Sequence, residues 1–212
     1  MATPKAQKTP NPGGYTAHNE RSRAAFLRDG QAILEKFGLN ATTQQIQSVT
    51  GVSPSTLYRY FESRETYLSE SFQSIWFPYI QNCLEISSKF DDELVAMVLP
   101  MRMVLNLNQT HPQLAAIIGH KDFILDWFFE KVGEHWLSHY RSLVSSGILP
   151  GDAAEARVIA FTGAGAQLVK NAIQGMDPDQ ASAGLGFALS ILGLSKAQIA
   201  RIMKVPLPTA EA

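Results

Sequence analysis

The chain has a single cysteine, Cys83, among 212 residues. An internal disulfide framework is therefore excluded, which suits a reducing cytoplasm. Cys83 itself reads as a small buried hydrophobe on a helix. No apolar run approaches the ~18 residues of a membrane span. The opening stretch, MATPKAQKTPNPGGYTAHNE, lacks the apolar core of a secretory signal. Strand-like alternation is absent as well, so the fold class is all-α. Also missing are a phosphate-cradling glycine loop, a nucleophile elbow and a histidine–glutamate metalloprotease signature. Gly163-Ala164-Gly165 and Gly184-Leu185-Gly186 stand inside helical patterns and read as packing glycines. The chain is thus read as a non-enzyme with no cofactor and no resident metal. The nearest approach to a metal site is His135 and His139, four apart on one helix face beside Glu134. That spacing suits a metal; the plainer reading is two polar residues on an amphipathic helix.

The overall charge of −1 conceals a division. Residues 1–64 carry eight basic side chains (Lys5, Lys8, Arg21, Arg23, Arg28, Lys36, Arg59, Arg64) against four acidic ones, and the remainder carries ten against fifteen. The cationic part coincides with the most structured-looking stretch, Thr42 to Arg64, TTQQIQSVTGVSPSTLYRYFESR. Thr42 and Gln45 form a capping box, in which each side chain satisfies the other's backbone N–H. Ile46 and Val49 give that short helix its buried edge. Gly51 stops it, because glycine takes the left-handed C-terminal position without penalty. Ser53 caps a second helix with Pro54 at its first position, where the missing N–H had no partner. Leu57 and Phe61 face inward and leave Ser55, Thr56, Arg59 and Tyr60 largely outside. Ser63 caps the next helix. Two helices about a glycine turn, the second rich in exposed polar groups, form a helix-turn-helix that presents a recognition helix to the major groove.

This stretch resembles the N-terminal domain of the TetR/AcrR family of bacterial regulators. The resemblance rests on Gly38, Thr42, Thr43, Ile46, Gly51-Val52-Ser53, Thr56-Leu57-Tyr58, Tyr60-Phe61, Ser63, Glu65 and Leu68. Gln47 and Thr50 stand where the family has small alanines, and Arg64 where it has lysine. The resemblance implies backbone contacts to DNA from Thr43, Ser55, Tyr60 and Arg64, and Ser53 with the free N–H groups of its helix would grip phosphate as helix N-termini do. It implies contacts to bases or their edges from Gln44, Pro54, Thr56, Tyr58 and Arg59. Lys5, Lys8, Arg21 and Arg23 are further candidate phosphate contacts.

The chain then divides into a tail (1–18), a three-helix DNA-binding domain (19–66), a helical ligand-binding and dimerisation domain (67–206) and a short tail (207–212). A first helix is expected over 20–37, with Gly30 inside it for close helix contact. A long helix from Ser63 runs past Pro78 with a kink, another spans 91–107, and Pro112 opens a short one. Lys121 to Ser146 is an amphipathic helix heavy in Phe123, Trp127, Phe128, Phe129, Trp136 and Tyr140. Asp152 is expected to cap a helix to about Gly175, followed by one over 179–192 and a last one opened by the capping box Ser195/Gln198.

Aromatics with a few polar groups between helices suit a ligand cavity. The expected lining is Trp76, Tyr79, Met103, Phe123, Trp127 and Phe161, with Asn106, Glu130 or Gln167 as polar anchors. Small residues and leucines at helical steps mark a helix–helix interface: Ala160, Ala164, Leu168, Gly184, Leu185, Ala188, Leu189 and Leu192. In the resembled family the last two long helices form a four-helix bundle across a two-fold axis. Such a homodimer reads two half-sites of a palindromic operator ~34–36 Å apart. The expected function is therefore a cytoplasmic transcriptional regulator that binds double-stranded DNA. Repression is the commoner mode in the family, and a small hydrophobic or aromatic effector would bring about release. Two alternatives stand beside it: a ligand-binding protein with a vestigial helix-turn-helix, and an enzyme using the His135/His139 region.

Overall fold

The computed structural model describes residues 12–119 and 136–208. Every regular element among them is helical. In order these are α1 (Pro12–Phe37), a 3-10 turn (Gly38–Asn40), α2 (Thr43–Thr50), α3 (Pro54–Leu57), α4 (Arg64–Ser87), α5 (Glu93–Leu105), α6 (Leu107–Thr110) and α7 (Pro112–Gly119). The helical residues 136–145 form α8, and α9 (Ala154–Ile173), α10 (Pro178–Ile191) and α11 (Lys196–Lys204) follow. The chain divides into two compact units, Met1–Ser74 and Ile75–Ala212. That division falls inside α4, whereas the sequence reading sets it at 66/67, near the start of that helix.

In the first unit α1 begins at Pro12, within the stretch read as a tail. Proline suits a first helical position. Ile33, Leu34, Ile46, Leu57, Phe61, Tyr67 and Leu68 enclose the core. Gly30 is required where α1 meets the first turns of α4: a Cβ there would lie 2.5 Å from the Cβ of Ser71. Ser71 is wholly buried and donates its hydroxyl to the Tyr67 carbonyl at 2.7 Å. The Tyr67 hydroxyl donates to the Phe26 carbonyl at 2.9 Å.

The second unit is built around α5, eight of whose thirteen residues are buried. Gly165 lets α9 approach α5, since a Cβ there would meet Met101. Gly184 likewise lets α10 seat against Leu168 of α9. The Arg102 guanidinium donates to the carbonyls of Ile202, Met203 and Val205 and so closes the C-terminus of α11. Asp92, the α5 N-cap, pairs with Arg201 of α11. Pro78 lies inside α4 and Pro100 inside α5.

Asp152 does not cap α9. Ala153 occupies that position with φ 53°, and no side chain caps the helix. The Asp152 carboxylate is instead taken by Arg157 at 2.9 Å, whose guanidinium also donates to the Ile191 carbonyl at the end of α10. This pairing holds the Asp152 carboxyl below its usual range. No helix among the described residues is long and apolar enough to cross a membrane.

Candidate nucleic-acid interface

Local chemistry shapes α2, the turn and α3. Both halves of the capping box form: Gln45 N–H donates to Thr42 Oγ1 at 3.3 Å, and Thr42 N–H to Gln45 Oε1 at 2.7 Å. Gly51 ends α2 in the left-handed region, φ 68°. Thr50 suits the turn in place of an alanine: its hydroxyl donates to the Ile46 carbonyl at 2.9 Å and accepts from the Val52 N–H at 3.3 Å. Gln47 is exposed, so its added length is accommodated at the surface. Val49 does not join the buried edge; it is 38% exposed while Ile46 is 1% exposed. The two-turn α2 is thus enclosed at a single position.

Ser53 Oγ accepts from the Thr56 N–H at 3.3 Å and lies within hydrogen-bonding distance of the Ser55 and Thr56 hydroxyls. The α-helical part of α3 is only four residues long. Shorter-range bonds, Arg59 N–H to the Thr56 carbonyl and Tyr60 N–H to the Leu57 carbonyl, continue it. Leu57 and Phe61 are buried, as expected. Gln44, Ser53, Ser55, Tyr58 and Arg59 are exposed, and Thr43, Pro54, Thr56, Tyr60 and Arg64 are half-buried. Tyr58 is free of the core at 45% exposure. Tyr60 is held by Phe26, ring centroids 5.0 Å apart.

A shallow depression of about 340 Å³ joins Thr43, Tyr58 and Arg64, from three elements, with Glu62, Ser63 and Glu65. Neither Glu62 nor Glu65 stands among the sequence-predicted contacts, although Glu65 belongs to the pattern on which the family resemblance rests. The Glu65 carboxyl is held below its usual range by its own N–H at the helix start and then by Arg64. Arg64 Nε donates to Glu65 at 2.8 Å. Ser63 caps α4 by accepting from the Thr66 N–H at 3.0 Å. Arg59 lies over Tyr60, its guanidinium carbon 5.7 Å from the ring centroid. Arg21 is exposed, whereas Arg23 is engaged by Glu70 and by the Phe61 ring. Arg23 thus already has a carboxylate and a ring as partners, with its side chain 43% exposed. Lys5 and Lys8 lie outside the described residues.

In the second unit, Trp76, Tyr79, Met103 and Phe161 are buried and Asn106 is half-buried. Trp76 meets Tyr79, ring centroids 5.7 Å apart, and Tyr79 meets His111 edge-on at 5.0 Å. Phe161 instead meets Trp136 at 4.5 Å. His111 was missed because an isolated histidine before a proline carries no periodic signal. Phe123, Trp127, Phe128, Phe129, Glu130, Glu134 and His135 lie outside the described residues. Among the described residues no three His, Cys, Asp or Glu side chains gather as a metal would require.

Gln167 is not an interior anchor. It is exposed, donates to Asn171 at 2.8 Å and edges an apolar depression of about 500 Å³ with Ala164, Leu168, Gly184, Phe187, Ala188 and Ile191. Of the residues read as an interface, Ala160 is exposed and Ala164, Leu168 and Gly184 are half-buried. Leu185, Leu189 and Leu192 are fully buried within the chain itself, and Ala188 is 2% exposed. The leucines line the monomer core because α10 turns that face toward α5 and α9. The apolar outer face is carried by Ile159 and Phe187, 71% and 77% exposed.

No protein-family model matches the chain, and no curated protein matches it. Solved structures do. RolR in complex with the ligand resorcinol superposes with a TM-score of 0.71 at 15% identity, covering 91% of this chain and 98% of RolR. RolR without ligand gives 0.69 at 15% identity, covering 88% and 98%. A TetR-family transcriptional regulator from Pectobacterium atrosepticum gives 0.60 at 16% identity, covering 83% and 94%. The helix-turn-helix, the helical second unit and these superpositions agree that the chain has the fold of the TetR-family transcriptional regulators.

Proposed function

We propose that the chain is a ligand-responsive DNA-binding regulator, a cytoplasmic repressor that grips a palindromic operator as a homodimer and lets go on binding a small aromatic or hydrophobic effector. The observation that carries this reading is the capped α2–turn–α3 unit, which leaves Gln44, Ser55, Tyr58 and Arg59 exposed on a cationic part of the chain. Ser55, Tyr60, Thr43 and Arg64 would hold phosphates, and Gln44, Thr56, Tyr58 and Arg59 would meet bases. The N-terminal helices form the DNA-binding domain and the remainder serves ligand binding and dimerisation.

Dimerisation is supported by the outer face of α9 and α10. Residues 158–169 and 180–195 carry no charge. A two-fold interface sets a surface against its own copy, where like charges would repel, so a neutral apolar face suits it. The aromatic effector class is supported by the cluster of buried Trp76 and Tyr79 with half-buried His111, and RolR has been solved with resorcinol. A ligand shifts DNA binding only by its difference in affinity for the two states.

The test is a binding assay at controlled salt with the DNA upstream of the protein's own coding sequence. Affinity should fall steeply with salt, and Arg59→Ala should remove ~1–3 kcal/mol of discrimination at one base pair. Absence of salt-dependent binding would favour a ligand-binding protein with a vestigial helix-turn-helix.

A further inference from the structure

We infer that Glu70 is a positioning residue for DNA binding, acting through Arg23 on Phe61; the inference rests on the DNA-binding reading above. Phe61 directly follows the recognition segment and is tied to it by its N–H, which donates to the Leu57 carbonyl at 3.1 Å. Phe61 is 3% exposed, and its ring meets Tyr67 at 4.9 Å and Phe26 at 6.2 Å, the latter edge-on. The remaining side is covered by Arg23, whose guanidinium carbon lies 5.0 Å from the ring centroid. Arg23 is held there by the Glu70 carboxylate.

The Arg23 side chain is 43% exposed. A guanidinium this accessible gains little from the ring alone and would extend into water if nothing fixed its plane. Glu70 supplies that fixed partner from α4. One turn of α1 and one of α4 thus converge on one aromatic: Arg23 and Phe26 from one helix, Tyr67 and Glu70 from the other. Phe26 also holds Tyr60, so two of the three aromatics that follow α3, Tyr60 and Phe61, are seated by this group. The angle at which Tyr58 and Arg59 are presented follows from that seating.

Removing a carboxylate from a DNA-binding unit strengthens phosphate attraction. Here Glu70→Gln should weaken binding, by roughly 3- to 10-fold, the size expected from one part-exposed ion pair with one cation–π contact. Arg23→Ala should weaken it by a similar factor, and the double variant should lose no more than the larger single loss, because both remove one arrangement. Arg23→Lys should behave like Arg23→Ala, since an ammonium lacks the planar fork.

The experiment measures binding of the full chain to the DNA upstream of its own coding sequence across a salt series, with thermal unfolding of each variant alongside. Glu70→Gln and Arg23→Ala should leave the salt dependence at its unaltered slope. A Glu70→Gln variant that binds as well as or better than the unaltered protein overturns the inference. So does a slope that drops by about one in Arg23→Ala, which would make Arg23 a phosphate contact. A loss that follows lowered melting temperature in proportion, and is absent in Arg23→Lys, also overturns it. If the unaltered protein itself shows no salt-dependent binding, the DNA-binding reading fails first, and the inference with it.

Discussion

Replacing Gly30 with alanine should destabilise the protein, against the ordinary preference of helices for alanine. In a helix interior that exchange is worth roughly 1 kcal/mol in favour of alanine. At Gly30 the new methyl would stand 2.0 Å from Ser71 Oγ and 2.5 Å from Ser71 Cβ. Rotating the serine removes the first conflict and leaves the second, because Cβ is fixed by the backbone. The two helices must therefore part by about 1 Å to restore ordinary carbon contact. That separation strains the Tyr67–Phe26 hydrogen bond and loosens Ile33 and Leu34, which are fully buried. Overpacking of this kind costs ~1–3 kcal/mol. Because rotation relieves only the hydroxyl conflict, Gly30→Ala falls near the upper end. With ~2–4 °C per kcal/mol for a chain of this size, the melting temperature should fall by roughly 5–10 °C. Thermal and urea unfolding followed by circular dichroism would measure it. Ser71→Gly removes the opposing Cβ and should recover most of the loss, whereas Ser71→Ala keeps it and should recover little. A Gly30→Ala protein as stable as the original refutes the account, as does equal rescue by both partners.

Phe187→Glu should turn the proposed dimer into a folded monomer by sedimentation, because Phe187 is exposed on the chain. Leu185→Glu should instead unfold the chain, because Leu185 is fully buried; a folded Leu185→Glu monomer would contradict this packing. Arg102→Met should cost about 2–3 kcal/mol by leaving the α11 carbonyls without their charged donor, and amide exchange should quicken first in α11. Burial pushes the Cys83 thiol up to about 11 from its ordinary 9.0. The unfolded chain then releases a proton that the folded chain keeps. This contribution to stability is complete below about pH 9 and is lost as pH rises toward 11, at no more than ~1.4 kcal/mol per pH unit. The alkaline decline measured by urea unfolding should be shallower in Cys83→Ala, and an unchanged decline would refute it.

The local devices were legible in the sequence because each is encoded within a few residues. The capping boxes at Thr42/Gln45 and Ser195/Gln198, the glycine stop at Gly51 and the Ser53-Pro54 restart depend on neighbours three or four positions apart. The structure reproduces each of them. The same holds for Leu57 and Phe61, whose inward direction follows from their spacing. Gly30 was legible as a close-contact residue, though its partner Ser71 was not.

What lies between elements was not legible. A stripe of leucines says that a face is apolar and leaves open what covers it. Only packing decided that Leu185, Leu189 and Leu192 turn toward the chain's own core while Phe187 and Ile159 remain outside. Val49 shares the spacing of Ile46 and still lies on the surface, since α2 is enclosed at one point alone. Asp152 has the chemistry of a cap and is drawn instead to Arg157, and Arg23 has the chemistry of a phosphate contact and is drawn to Glu70. Sequence determines which hydrogen bonds a residue can make with its neighbours along the chain. Which distant partner competes for the same group is settled only when the helices pack, because burial and charge act through space.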